Sequence, residues 1–314
     1  MDNLLLVNTS PHIHRKESTS RIMWLVTLSL MPAGIAGVFI FGLGAFRVIA
    51  LGVFSAVLTE WLLQLIAKKK ATIFDGSAIL TGLLLAYNLP AHVPFWLPIA
   101  GSFFSIAIGK QIFGGLGQNM FNPALAGRVF LMASWPKYMT TFTKPLNYDA
   151  VTSATPLAFL KEGKPLEHIN YLDLFLGNRP GCIGEVCILA LLIGAVFLLA
   201  KKYISWHIPV SYILTTGIFV YLFAGRSMFS GDWLMHILTG GLILGAFFMA
   251  TDYVTSPLTC RGQIIFGMGC GLLTAVIRIW GGYPEGVSYA ILIMNAATPI
   301  IDRYTKKRIY GTQK

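Results

Sequence analysis

Ile22-Met23-Trp24-Leu25-Val26-Thr27-Leu28-Ser29-Leu30-Met31-Pro32-Ala33-Gly34-Ile35-Ala36-Gly37-Val38-Phe39-Ile40-Phe41-Gly42 is free of charged residues and follows Arg15, Lys16 and Arg21. A basic segment ahead of an apolar run is also the plan of a signal peptide, but this run is too long for a signal core. No small-residue cleavage site follows it. It reads as a retained transmembrane helix, since about 20 apolar residues cross the hydrocarbon layer.

Moving outward from it, the same texture repeats. The chain is 55% hydrophobic and only 12% charged, which excludes an ordinary soluble domain. The apolar runs predict an all-α polytopic membrane protein with ten transmembrane helices, near residues 22–42, 46–66, 76–90, 93–113, 118–135, 182–200, 207–224, 233–251, 262–280 and 286–301. The net charge of +11 does not point to nucleic acid, because Lys and Arg collect at the span ends. The four cysteines, Cys182, Cys187, Cys260 and Cys270, have neither CxxC nor Cys/His metal spacing and read as buried apolar thiols. The six histidines show no metal spacing, and His12 and His14 read as surface residues.

With the N-terminus placed inside, fifteen Lys and Arg fall in cytoplasmic segments, Lys110 among them, against Arg47, Arg226 and Arg278 in short external loops. The positive-inside rule then puts both termini in the cytoplasm and the long hydrophilic interval 136–181 outside. That interval divides the chain into a first half (1–135), a loop (136–181) and a second half (182–314). With five spans per half, any internal repeat would be inverted across the membrane. Internal echoes agree: Gly114-Gly115 with Gly281-Gly282, Asn122-Pro123 with Asn295 and Pro299, Thr81-Gly82-Leu83-Leu84 with Gly240-Gly241-Leu242-Ile243.

Several polar groups lie where lipid makes them costly. Asn119, Asn122 and Pro123 interrupt the fifth span, and Arg128 lies well inside it. A central arginine costs about 2.5–3.5 kcal/mol on insertion scales, so it must face protein or a cavity. Helix-to-helix bonding and a binding role both answer that demand; as a site residue, Arg128 would offset negative charge on a ligand. Glu60, Asp75 and Asp252 are the acids nearest the cytoplasmic interface, as helix-end residues or as a cation path.

In the 136–181 loop, Thr155 followed by Pro156 reads as a helix N-cap and first turn, a place where backbone N–H groups favour a phosphate. The surrounding pattern is Asp149, two residues, Thr152, Ser153, Ala154, Thr155. It resembles the signal for covalent flavinylation, in which a transferase esterifies the last threonine to FMN. Ser153 stands where many relatives have glycine, a change the signal tolerates.

Other stretches join it: Ser10-Pro11-His12-Ile13, Phe74-Asp75-Gly76-Ser77-Ala78-Ile79-Leu80-Thr81-Gly82, Phe113-Gly114-Gly115-Leu116-Gly117-Gln118-Asn119-Met120-Phe121-Asn122-Pro123-Ala124-Leu125, and Met249-Ala250-Thr251-Asp252. Together they resemble the NqrB/RnfD family, which holds RnfD of the Rnf complex and NqrB of the sodium-pumping NADH:quinone reductase. The segment before the first span is short, which is closer to the RnfD branch. The resemblance implies a bacterial inner-membrane component of an ion-translocating oxidoreductase linking ferredoxin and NAD. It implies FMN on Thr155, and a second, non-covalent flavin (riboflavin) near Asn119 and Asn122. Its partners would be the other Rnf subunits, including a second covalent-flavin subunit. The chain has no nucleotide-binding glycine motif and no iron–sulfur spacing, so it depends on such partners for electrons. The competing reading is an inverted-repeat channel or permease with Asn-Pro-Ala at one half-helix, and a purely structural assembly subunit is a third. A passive pore has no use for the Asp149–Thr155 loop, and a redox-silent Thr155 variant would favour the structural reading.

Overall fold

The computed structural model describes residues 18–69, 72–143, 145, 152–153, 155–161, 170–225 and 228–305, with the backbone alone at 152–153. Asp149, Ala154, His12 and His14 lie outside the described residues. Among the described residues the regular structure is helical apart from two two-residue strands.

The first part comprises α1 (Thr19–Phe41), α2 (Leu43–Ile66), α3 (Ser77–Tyr87), α4 (Trp96–Ile106) continued by a π-turn (Ala107–Gln111), and α5 (Pro123–Ser134). The loop region holds α6 (Pro136–Thr140), β1 (Phe142–Thr143), β2 (Thr152–Ser153), α7 (Pro156–Lys161) and α8 (Tyr171–Leu176). The rest comprises α9 (Ile188–Ala200), α10 (His207–Phe223), α11 (Trp233–Leu238), α12 (Leu242–Leu244) continued by a second π-turn (Gly245–Met249), α13 (Cys260–Trp280) and α14 (Val287–Thr305). Among the described residues, α1, α2 and α13 are long and apolar enough to cross a membrane alone.

Local chemistry sets the ends. Ser18 caps α1 by accepting the Arg21 N–H at 3.2 Å, and Asn122 caps α5 by accepting from Ala124 and Leu125 with Pro123 at the first helical position. The expected fifth span therefore starts at Pro123, and residues 118–122 approach it without helix. The expected eighth span is broken: Gly240 and Gly241 have φ of 69° and 66°, which stops α11 and lets α12 start afresh. The third is short, because the chain turns at Asn88 instead of running to residue 90.

Packing follows a repeated plan. α2 lies on α4 as α10 lies on α13, while α1 meets α9 and α5 meets α14. Small residues permit close approach: a Cβ on Gly82 would stand 2.6 Å from the Gly52 carbonyl and 2.9 Å from both Val53 Cα and Ala56 Cβ. Backbone cannot yield there. Gly82→Leu is expected to separate α2 from α3 and cost about 1–3 kcal/mol or more, measured as a lower unfolding midpoint in detergent, whereas Leu at the solvent-open Gly282 leaves the midpoint within a degree or two of the wild type.

Candidate functional site

The β1–β2 pair fixes the loop. Phe142 faces Ser153 and Thr143 faces Thr152, antiparallel, so the chain leaving β2 enters α7 beside α6. Thr155 is buried and its Oγ accepts the Ala158 N–H at 3.3 Å, while its carbonyl accepts from Ala158 and Phe159. The expected N-cap is therefore present. At the far end of α7, Lys161 Nζ donates to the carbonyls of Gly281 and Tyr283, pinning the helix to the turn between α13 and α14. Desolvation against that turn pulls the Lys161 ammonium below the usual lysine range.

Thr155 and Arg128 open on one cavity of about 290 Å³, walled also by Met139, Phe142, Tyr283, Glu285 and Tyr289. Tyr283 and Tyr289 stack there, with centroids 5.3 Å apart and planes 19° from parallel. Arg128 is buried; it forms a salt bridge with Glu285 and donates to Asn88 Oδ1 at 2.6 Å. Its expected placement toward protein or a cavity holds on both counts. Behind Glu285, Arg278 donates Nε to the Glu285 carbonyl at 3.0 Å and its terminal nitrogens to the carbonyls of His236, Thr239 and Gly240, which the α11 break leaves open. Arg278 is therefore a buried structural cation, not the loop charge that the sequence suggests.

Asn119 and Asn122 line a second cavity, with Ser77, Lys110, Phe248 and Asp252. Asp252 is half-buried and accepts from Thr255 Oγ1 at 3.2 Å. Lys110, counted from sequence among the cytoplasmic charges, is 2% exposed and holds both Glu60 oxygens at 2.8 Å and Ser77 Oγ at 2.6 Å. The π-turn produces this, since its extra residue rotates Lys110 inward. Gln64 and Gln111 also donate to Glu60, and Asp75 accepts the Ser77 N–H at 2.8 Å and its hydroxyl at 2.6 Å. Glu60 and Asp75 thus meet through Lys110 and Ser77, and the same lysine and serine face the cavity that holds Asp252.

A run of short contacts joins the two cavities. Asn122 Nδ2 donates to the Met249 carbonyl at 3.2 Å, at the end of the second π-turn. Met249 Sδ lies 3.7 Å from Asn88 Nδ2, and Asn88 Oδ1 takes Arg128. Asn295, echoing Asn122 in the sequence, is its neighbour: in the orientation that satisfies both amide ends, its oxygen accepts the Asn122 backbone N–H at 3.1 Å.

Sequence reasoning missed Glu185, Glu285 and Asn88. The two glutamates did leave a signal, each being a single acid between apolar runs. Cys182 Sγ and one oxygen of each glutamate lie within 4.8 Å of one another. That donor set suits a cation on paper, but Arg128 already holds Glu285 and touches Cys182 Sγ at 3.9 Å. An added cation would have to displace a guanidinium, so the cluster is an arginine–carboxylate network. Cys182 therefore sits in polar surroundings, and Cys260 is exposed, contrary to the expectation of four apolar buried thiols; Cys270 meets it.

The fold and these two lined cavities define a multi-pass α-helical membrane protein with polar machinery in its core. The chain belongs to the NQR2, RnfD, RnfE family, whose model matches residues 6–311. It is 53% identical over 312 residues to the D subunit of the Na⁺-translocating ferredoxin:NAD⁺ oxidoreductase complex of Acetobacterium woodii, covering 99% of this chain and 96% of that one. It is 50% identical to the D subunit of the proton-translocating ferredoxin:NAD⁺ oxidoreductase complex of Clostridium ljungdahlii, over 99% and 98% of the two chains. The D subunit of an Escherichia coli ion-translocating oxidoreductase complex is 38% identical over 98% of this chain and 99% of its own. The resemblance drawn from the sequence motifs is therefore confirmed.

Proposed function

We propose that this chain is a membrane electron-relay subunit of an ion-translocating ferredoxin:NAD⁺ oxidoreductase, carrying FMN esterified to Thr155. The observation that carries the reading is that Thr155 of the loop and Arg128 of α5 line the same cavity. Its volume is at the low end of the roughly 300–1,000 Å³ typical of small-molecule sites.

The residues present fit a flavin nucleotide. The Thr155 hydroxyl, in the cavity wall, would hold the phosphate. Arg128 would balance negative charge, and the Tyr283–Tyr289 pair offers flat faces for a ring. Met139 and Phe142 would exclude water. When bound, a flavin accepts and releases electrons, a chemistry no side chain here supplies. A tether at Thr155 keeps the cofactor at high local concentration. Asp149, Thr152, Ser153 and Ala154 complete the transferase's recognition signal.

In the same reading, Asn119 and Asn122 serve the second, non-covalent flavin, and the Asn122–Met249–Asn88–Arg128 contacts join the two sites. Glu60, Asp75 and Asp252 are the candidate cation path. The helices make ten crossings in two inverted five-helix halves, 1–135 and 182–314, around the 136–181 loop. The α2–α4 and α10–α13 pairings support this. α13 is about 31 Å long at 1.5 Å per residue and runs from the Asp252 segment to the Glu285 turn. The cavities then approach opposite membrane faces, the Thr155 cavity outside and both termini in the cytoplasm. Partners are the remaining subunits of the complex, one of them a second covalent-flavin protein.

The test is a denaturing gel of the wild-type chain, made alongside an active flavin transferase and viewed under ultraviolet light. A fluorescent band, with a tryptic fragment containing Thr155 heavier by one esterified FMN, is the expected result. A dark band and an unmodified fragment would overturn the reading and favour a permease.

A further inference from the structure

Three arginines and two glutamates meet at the Thr155 cavity, Arg128 and Glu285 in its wall and the rest behind them, and their hydrogen bonds are unevenly shared. Arg128, on α5, is paired with Glu285. Arg278, on α13, spends its donors on backbone carbonyls, including that of Glu285. Arg179, ahead of α9, donates to the Glu185 carbonyl at 2.7 Å, and its Nε has no hydrogen-bond partner among the described residues. The Glu185 carboxyl receives the Cys182 N–H at 3.0 Å and forms no salt bridge among the described residues. Its oxygen lies within 4.8 Å of a Glu285 oxygen. Around this group stand the Cys182 thiol, His236 on α11 and Tyr212 on α10 beside Arg278. All three arginines and both glutamates are buried.

Two buried carboxylates at this separation repel, and the one lacking a guanidinium is where a proton costs least. We propose that Glu185 is a proton-binding site that sets the charge of the wall of the Thr155 cavity. With the proton on Glu185, three guanidinium charges face one carboxylate, leaving two positive charges. A phosphodiester carries one negative charge and a reduced, anionic flavin ring a second, so the protonated wall matches the reduced cofactor. Loss of the proton removes one of the two and favours the oxidised cofactor. This inference rests on the reading of Thr155 as the flavin site, but its first test does not.

That test uses the assembled complex produced without the flavin transferase. A pH-induced infrared difference spectrum is expected to show a buried carboxyl still protonated at neutral pH. The band is absent in Glu185→Gln. It is also absent at neutral pH in Glu285→Gln, where the like charge is gone, and this second variant serves if the first does not accumulate. No such band in the wild type, or its survival in Glu185→Gln, would overturn the proposal. In the flavinylated complex, the midpoint potential of the Thr155-linked flavin should step down over the pH range in which Glu185 ionises. Glu185→Gln should remove that step while keeping the flavin; an unchanged step would also overturn the proposal. A dark wild-type gel band would defeat the flavin reading alone, because the infrared result stands independently.

Discussion

Thr155→Val is expected to abolish the proposed covalent flavin: in-gel fluorescence should fall to background and the tryptic fragment should keep its unmodified mass. Valine has nearly the shape of threonine, so the wall of the cavity is preserved while the Thr155 hydroxyl disappears. The structural cost is limited to the cap on α7, where Thr155 Oγ accepts from Ala158. Such a loss is about 0.5–2 kcal/mol, and Lys161 still pins the helix to the Gly281–Tyr283 turn. The chain is therefore expected to accumulate and assemble normally. Thr155→Ser separates the two effects, since it keeps a hydroxyl and a cap and should retain a fluorescent band. Electron transfer through the complex should fall to background in the valine variant and persist with serine. Fluorescence in the valine variant equal to wild type would place the flavin elsewhere and remove the basis of the functional reading.

Much of this was legible because a membrane simplifies the physics. An uninterrupted apolar run such as residues 22–42 has few alternatives to a helix, and α1 duly spans Thr19–Phe41. Arg128 was legible as a cost needing compensation, and the Thr155-Pro156 start as a cap. What escaped was every identity set by partners distant in sequence. Glu285 is 157 residues from Arg128, and nothing local marks the pairing. Lys110 is the instructive error. Beside Phe113-Gly114-Gly115 it reads as an interfacial lysine, but one π-turn, invisible in the residue pattern, turns it toward Glu60, 50 residues away. The break in the eighth span was written as Gly240-Gly241, yet adjacent glycines are common in membrane helices. Only the positive φ of both reveals a stop, and the carbonyls it exposes explain why Arg278 lies inside.

The Lys110–Glu60 pair should give large stability effects. Among the described residues, Glu60→Ala leaves an ammonium in the core with the Ser77 hydroxyl as its remaining hydrogen-bond partner; Lys110→Ala leaves a carboxylate with Gln64 and Gln111. Each is expected to cost about 3–5 kcal/mol, because the surviving charge stays desolvated. The double variant Glu60→Leu/Lys110→Met removes both charges and should return to within about 1–2 kcal/mol of wild type, or exceed it. Unfolding midpoints of the four proteins in one detergent give the coupling directly. Singles that each lose less than about 1 kcal/mol would mean the pair is hydrated like a surface bridge, contrary to its burial. The stable double variant then isolates function from folding. A structural pair leaves cation-dependent turnover of the complex intact in that background. A pair on the cation path leaves the cofactor and the fold in place but uncouples electron transfer from ion movement, and this is the outcome expected from Lys110 and Ser77 facing the same cavity as Asp252.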